Sequence, residues 1–318
     1  MKSANGIDVI EQDIADLSYP LLDILLYDRT TNRNIIWASE DYTNIGELYG
    51  AKKQIMPELV IGNNTRLIQP RTAKAQENQL SRTRNKAEVF TPSWICNAQN
   101  NLIDEAWFGR TSIFNVPTGT TWQTVANPVI FPQEKNRSWQ KYVDANRMEI
   151  SCGEAPYLVS RYDATTGEII SLQERIGLLD RKLRVVNENT VDEHEWLKWA
   201  IRAFQSVYAY EFQGDNLLLA RENLLYTFID NIRFKLHREP KLCELKQIAT
   251  IISWNLWQMD GITFTIPYGE ARENPDQICL FDQGTEPLDE CYSKLCKIKD
   301  WRSKVILEYK SLVKGAMQ

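Results

Sequence analysis

Residues 207–261 decide the fold, and they read VYAYEFQGDNLLLARENLLYTFIDNIRFKLHREPKLCELKQIATIISWNLWQMDG. The stretch opens with an apolar strand pattern at Val207–Tyr210 and continues with helical spacing of apolar side chains over Asp215–Lys235. Helical spacing resumes after Pro240, which suits the first turn of a helix, and a second short strand pattern covers Asn255–Met259. Strands separated by helices predict a parallel sheet covered by helices.

The same alternation extends towards the N-terminus. A short strand is predicted at Arg147–Ile150 and an amphipathic helix at Asp192–Ser206. The predicted order is therefore strand, loop, helix, strand, helix, helix, strand, which indicates an α/β fold with ligands at the carboxyl ends of the strands. A further helix is predicted after Pro92, and one face of it is lined by the apolar residues Trp94, Ile95, Ala98, Leu102, Ile103, Ala106 and Trp107.

Residues 1–80 differ in pattern and are predicted to form an N-terminal extension to a domain at 81–318. Apolar runs at Leu21–Tyr27 and Asn34–Ala38 flank a polar turn, which predicts a β-hairpin. Residues 62–86 are polar and rich in Lys and Arg. They are either a solvated connector or a local stretch that contacts phosphates through Arg82, Arg84 and Lys86. The part of the domain after residue 261 is irregular in pattern.

Amino-acid composition limits the classes of protein to which this chain can belong. The chain has 318 residues, of which 43% are hydrophobic, enough for a packed core. A net charge of −5 provides no general basic field for nucleic acid, so any DNA contact would depend on a local patch or a partner. The sequence shows neither a secretory signal pattern nor an apolar run of membrane-spanning length, so we expect a soluble, cytoplasmic protein without a membrane partner.

Cysteine and histidine usage predicts no metal site. The six cysteines are expected to be free thiols, and only Cys279, Cys291 and Cys296 cluster, without a C-x-x-C pair. With two histidines in the whole chain, neither a zinc site nor a histidine-activated nucleophile is expected.

Four local features lie at predicted strand ends or helix starts. Phe90-Thr91-Pro92 opens a helix, and by itself it is explained by helix capping. Glu149 ends a strand, where its carboxylate can accept from an amino or hydroxyl group of a ligand. It precedes the turn Ser151-Cys152-Gly153, where a glycine lets backbone approach a ligand closely. Glu211 and Asp260 end two strands, where an acid can hold ribose hydroxyls or an amino group. Ordinary turns and solvated strand ends explain each of the last three equally well or better.

The order of these features resembles S-adenosylmethionine-dependent, adenine-specific DNA methyltransferases of restriction–modification systems. The family's Phe/Tyr-Thr-Pro motif matches Phe90-Thr91-Pro92, and its Asp-Pro-x-Cys-Gly-x-Gly motif matches residues 149–155, with Ala155 in place of the second Gly. The resemblance covers roughly residues 84–261. It implies a Rossmann-like methyltransferase sheet with helices on both faces, in which Glu211 binds the ribose and Asp260 the adenine of the cofactor.

Two departures from the family bear on activity. Residues 157–191 lengthen the path between the glycine turn and Glu211, and they are interpreted as an inserted hairpin or recognition element. The family's catalytic Asn/Asp-Pro-Pro-Tyr/Phe, expected after a further strand, has no full counterpart. Ile266-Pro267-Tyr268-Gly269 keeps the aromatic, which would stack on a flipped base, and Asn274-Pro275 keeps the amide that would accept from the target amino group.

The resemblance therefore supports two hypotheses on function. The first is a DNA adenine methyltransferase-like protein that binds S-adenosylmethionine and double-stranded DNA with base flipping, whose activity is impaired or depends on a restriction or specificity subunit. The second is a non-catalytic DNA- or protein-binding subunit of a restriction or phage-defence system with the same fold. Outside the family, a plain interaction module whose turns imitate the motifs stays open.

Overall fold

The computed structural model describes residues 10–74, 82, 91–269 and 294–315. Its helices in that part are α1 Glu11–Leu17, α2 Tyr19–Leu26, α3 Ser93–Phe108, α4 Trp139–Asp144, α5 Leu178–Asn189, α6 Glu193–Gln205, α7 Gly214–Leu236, α8 Leu242–Asn255 and α9 Tyr309–Gly315. Its strands are β1 Tyr27–Asp28, β2 Arg33–Asn34, β3 Asn115–Thr118, β4 Thr121–Thr124, β5 Arg147–Glu149, β6 Val207–Glu211, β7 Leu256–Gln258, β8 Lys297–Asp300 and β9 Val305–Glu308. Four short 3₁₀ turns lie between residues 47 and 73.

The central sheet is parallel and has the order β5-β6-β7. Arg147 pairs with Val207 at the start of the first pair of strands, and Ala209 pairs with Leu256 in the second. The connections run through α5 and α6 from β5 to β6, and through α7 and α8 from β6 to β7. The prediction of a mixed α/β fold with a parallel sheet is confirmed, and each predicted element from 147 to 259 is present within a few residues of its expected bounds.

The two faces of this sheet have different coverings. Val207, Ala209 and Leu256 point into the main apolar core together with side chains of α6, α7 and α8. On the opposite face, Tyr208 and Trp257 belong to a second apolar cluster with side chains from β8 and residues 264–266. The expectation of a Rossmann-like sheet with helices on both faces is not confirmed: in the described residues the second face packs against the antiparallel β8–β9 hairpin and against Tyr309 at the start of α9.

Helix α7 is the centre of the molecule. It is 23 residues long and buried around most of its circumference. The Arg221 guanidinium on this helix donates to the carbonyl oxygens of Leu25 and Tyr27 in the N-terminal region and of Leu256 in β7. Burial lowers the pKa of Arg221 to about 10, still above neutrality, so it remains a cation that links three backbone segments.

The N-terminal region contributes to the same core. The predicted hairpin is present, but its strands β1 and β2 have two residues each, paired as Tyr27 with Asn34 and Asp28 with Arg33. The expectation that the apolar run from Leu21 forms a strand is wrong, because this run is helix α2. Its residues Leu21, Leu22, Leu25 and Leu26 are buried, a spacing that places them on one helix face against α7 and α8.

The stretch 157–191 contains a turn and a core helix. Tyr162 and Ile169 bridge across the turn at 163–167, as expected for a small hairpin. From Leu178 the chain forms α5, whose apolar residues lie in the main core. Helix α5 packs against α4, α6 and α7, so this part of the stretch belongs to the main core of the domain.

Helix α3 buries its polar side. Its buried side chains include Asn97, Asn100 and Asp104, while Leu102 is 65% exposed and Trp94 38%. The Arg181 guanidinium on α5 ion-pairs with Asp104, so the buried polar face has charged and hydrogen-bonding partners from elsewhere in the chain. Most of the apolar face predicted for this helix is consequently directed to solvent, although Trp107 at its end packs against Phe131 and Tyr142.

None of the helices in the described ranges has the length and apolarity that a bilayer crossing requires. In the same ranges, no group of three or more His, Cys, Asp or Glu residues is arranged to hold a metal ion. Of the clustered cysteines only Cys296 is described, and it is a free thiol, as are Cys96, Cys152 and Cys243.

Candidate functional site

The carboxyl ends of the three parallel strands meet the turn Ser151-Cys152-Gly153-Glu154-Ala155. The Cys152 amide donates to the Tyr210 carbonyl oxygen at 2.9 Å, which fixes the turn beside the end of β6. Ser151, Gly153 and Ala155 all have positive φ angles, at 47°, 53° and 64°. The backbone is therefore left-handed at Ala155, the position where the resembled motif has its second glycine.

Glu211 ends β6 and ties this turn to the sheet. Its carboxylate accepts from the Gly153 amide at 2.8 Å and from the Gln213 amide at 3.1 Å. Burial raises the pKa of Glu211, although the hydrogen bonds from the Gly153 and Gln213 amides oppose that rise. The predicted ribose acid and the predicted glycine turn are thus in direct contact, 58 residues apart in sequence.

Glu149 ends β5, and its carboxylate contacts the backbone a few residues after the glycine turn. Its two carboxylate oxygens accept from the amides of Tyr157 at 3.3 Å and Leu158 at 3.0 Å. Burial raises the pKa of Glu149 to about 8, and the neighbouring negative charge of Glu211 adds to the rise. The role predicted for this side chain, accepting from a ligand, competes with these two backbone contacts.

Thr91 and Pro92 lie at the start of α3, next to the loop that follows the glycine turn. Pro92 precedes the first helical residue, and the Ser93 amide donates to the Asp163 carboxylate at 2.7 Å. Burial raises the pKa of Tyr157 and an interaction with the Thr91 side chain opposes that rise, while the Tyr157 amide donates to Glu149. Thr91 therefore lies close to the carboxyl end of β5, whereas Phe90 lies outside the described residues.

Asp260 follows the end of β7. Its carboxylate accepts from the amides of Ile262 at 2.8 Å and Thr263 at 3.3 Å, which forms a local turn. A Cβ added at Gly261 would lie 2.9 Å from the Tyr210 hydroxyl, so this turn packs directly against the end of β6. Burial raises the pKa of Tyr210, and an interaction with the Ser151 side chain opposes that rise. Asp260 is consequently connected to the glycine turn through one tyrosine.

Residues outside the predicted motifs also lie at the carboxyl edge of the parallel sheet. The Gln258 side chain accepts from the Ile36 amide at 2.9 Å and donates to the carbonyl oxygens of Ile36 and Phe212. The Gly214 amide donates to the Trp37 carbonyl at 2.9 Å. The segment at 36–37 therefore lies across the carboxyl ends of β6 and β7, a contact that no local sequence pattern indicates.

A buried ionic cluster surrounds the start of α7. Asp215 accepts from Arg82 at 2.7 Å, from the Tyr42 hydroxyl at 2.8 Å and from Lys74 at 3.2 Å. Burial disfavours the Asp215 carboxylate, but Lys74 and Arg82 outweigh burial and hold its pKa far below the usual range. The Arg82 side chain is 3% exposed, so its position gives no support to a phosphate contact. Of the other predicted phosphate contacts, Arg84 and Lys86 lie outside the described residues.

The predicted catalytic residues are only partly described. Asn274 and Pro275 lie outside the described residues. Tyr268 is 39% exposed, its ring meets that of Phe212 edge to face at 5.6 Å, and the Lys52 ammonium lies 5.6 Å from its ring centre. Ile266 is a buried member of the second apolar cluster, and residues 261–264 form a turn instead of the strand expected to carry a catalytic tetrapeptide.

Comparison with known protein families, with characterised proteins and with solved structures found no match to this chain.

Proposed function

We propose that this chain is an S-adenosylmethionine-binding, DNA adenine methyltransferase-like protein whose transfer activity is impaired or depends on a partner. One observation carries the proposal. The Gly153 amide donates to the Glu211 carboxylate at 2.8 Å, so the predicted glycine turn and ribose acid share one edge of a parallel sheet. In α/β proteins this edge is where nucleotide ligands bind.

The side chains at this edge have capacity left for a cofactor. An ionised carboxylate has about four acceptor sites, and Glu211 uses two of them for backbone amides. The remaining sites suit the two ribose hydroxyls. By the resemblance, Asp260 would bind the adenine amino group, and Thr91 of the Phe-Thr-Pro motif would hold the methionine part of the cofactor. When bound, the cofactor would supply the methyl group to be transferred. This chain's own residues would bind and orient it.

A second candidate, a binding subunit without transfer activity, has a specific observation in its favour. The apolar Ile266 is the residue at the first position of the Ile266-Pro267-Tyr268 match, and its side chain packs in an apolar cluster. An isoleucine cannot accept the hydrogens of a target amino group, which that position must do to activate the nitrogen. Catalysis on DNA then requires Asn274 or a residue from a partner chain.

Cofactor binding is tested by titrating S-adenosylmethionine into the full chain and following both heat of binding and melting temperature. We expect saturable binding and a rise in melting temperature. Glu211→Gln should weaken binding by at least about tenfold, the scale of one charge-assisted hydrogen bond. Glu168→Gln changes an exposed glutamate and is the matched control.

The outcomes separate the two candidates. Methyl incorporation into unmodified DNA, by the chain alone or in the presence of a partner subunit, supports the enzyme. Cofactor binding without incorporation in either case supports the binding subunit. No binding at millimolar cofactor, or equal binding by the Glu211→Gln variant, refutes the proposal. Melting temperatures without cofactor show whether a variant has lost its fold instead of its ligand contact.

A further inference from the structure

The solvent-facing side of α3 is mainly apolar, and its polar residues are Gln99 and Glu105. Trp94 is 38% exposed, Leu102 65% and Ile103 39%, and Ala98 and Ala106 are also exposed. The opposite side of the helix carries the buried polar groups. On most surface helices the apolar side faces the core, so this reversed arrangement leaves an apolar face without a partner in the described part of the chain.

The residues at four-residue spacing on this face alternate in size. Trp94 and Leu102 are large, and Ala98 and Ala106 are small. Side chains at this spacing form a ridge along the helix surface, and ridges of two helices pack into each other's grooves. If two copies of α3 are related by a two-fold axis at the level of residue 100, Ala98 faces Leu102 of the second copy. Trp94 then faces Ala106 of the second copy, so a large residue meets a small one at each contact.

The charges of α3 favour a second copy of this chain over a nucleic acid or a membrane as the binding partner of this face. The helix carries no Lys or Arg, and its acidic residues are Asp104, which is buried, and Glu105. A nucleic acid or an anionic membrane would need cations on this face. In the antiparallel pair, Glu105 faces Ile95 of the second copy, so the arrangement brings no like charges together.

We propose that this face of α3, formed by Trp94, Ile95, Ala98, Leu102 and Ala106, binds the same face of a second copy in an antiparallel two-fold dimer. A two-fold contact uses the same patch on both subunits, as this self-complementary ridge requires. Helix α3 has 16 residues and is about 24 Å long. A contact of this size is small, so the expected dissociation constant is in the micromolar range.

The test is sedimentation velocity of the full chain over a micromolar concentration series. The wild type should show a reversible monomer–dimer equilibrium. Leu102→Ala leaves two small residues facing each other, and Ala98→Leu brings two leucines together, so each should weaken the dimer about tenfold. The double variant exchanges the large and small residues and should restore the dimer. Leu48→Ala, at a side chain 61% exposed, is the matched control.

Each variant should keep the wild-type melting temperature at low concentration, because both positions are exposed in the monomer. A protein that stays monomeric at every concentration overturns the proposal, even if another protein is found to bind this face. A dimer that neither single variant weakens also overturns it. Weakening by both single variants without restoration in the double variant excludes the antiparallel pairing.

Discussion

The substitution Gly214→Ala tests how the N-terminal region meets the carboxyl edge of the sheet. Gly214 is the first residue of α7, and its amide donates to the Trp37 carbonyl at 2.9 Å. A Cβ at this position would overlap the Ile36 carbonyl oxygen and lie 3.0 Å from both the Ile36 carbonyl carbon and the Ile55 Cδ1. Since two of these atoms are backbone, the contact cannot be relieved by rotating a side chain.

The magnitude follows from three effects. Overpacking against backbone costs about 1–3 kcal/mol, and losing the amide–carbonyl hydrogen bond costs about 1 kcal/mol. Alanine at the start of a helix recovers a few tenths of a kcal/mol relative to glycine. We therefore expect Gly214→Ala to lower the free energy of unfolding by about 2–3 kcal/mol.

The control is Gly50→Ala in the same N-terminal region. Gly50 has a φ of −65°, and its added Cβ would meet nothing closer than 3.5 Å. Alanine there restricts the unfolded chain, so it should leave stability unchanged or raise it by about 0.4–1 kcal/mol.

Urea denaturation of both variants gives the two free energies, and hydrogen exchange at the Ile36 amide reports the local contact. That amide donates to Gln258, so it should exchange faster in Gly214→Ala only. If Gly214→Ala is as stable as Gly50→Ala, residues 36–37 do not lie against α7 and the description of this edge fails.

Two further predictions concern charged groups near the same edge. Arg82→Ala should destabilise the protein by about 3–5 kcal/mol in urea denaturation, because it removes the closest cation from the buried Asp215 carboxylate. A loss of DNA binding with unchanged stability would instead assign Arg82 to phosphate contact. Burial alone would raise the pKa of Asp163, but hydrogen bonds from Thr165 and Ser93 lower it to about 2. This contribution to stability is present above the ordinary carboxyl pKa and is lost as pH falls towards 2, so Asp163→Asn should flatten the acid limb of a pH–stability profile. An acid limb identical to that of the wild type would contradict this assignment.

Local periodicity was sufficient to predict the elements of the central sheet. The strand and helix patterns between residues 147 and 259 depend on apolar side chains at spacings of two and of three to four, and the described elements follow them closely. The gathering of Gly153, Glu211 and Asp260 at one edge also followed from the sequence. Parallel strands in one sheet end at the same side, so residues that end successive strands must meet there.

Periodicity misled at Leu21–Leu26 and at α3, for two different reasons. A short apolar run such as Leu21–Leu26 is compatible with either a buried strand or a buried helix. Here packing against α7 and α8 stabilises the helix. In α3 the polar residues are buried because Asp104 pairs with Arg181, which lies 77 residues further along the chain. A pairing at that distance leaves no periodic signal in the sequence.

The sequence by itself determined the order of the sheet elements and the residues at their carboxyl ends, because both follow from short-range spacing and from the direction of parallel strands. Only the tertiary structure decided what those residues contact. Glu149 and Glu211 hold backbone amides, Arg82 is paired with Asp215, and residues 36–37 cover the edge of the sheet. Most of these contacts join groups that are distant in sequence, such as Gly153 and Glu211, 58 residues apart, or Ile36 and Gln258, 222 residues apart. Buried polar groups require hydrogen-bonding partners, and the folded chain supplies them from distant segments.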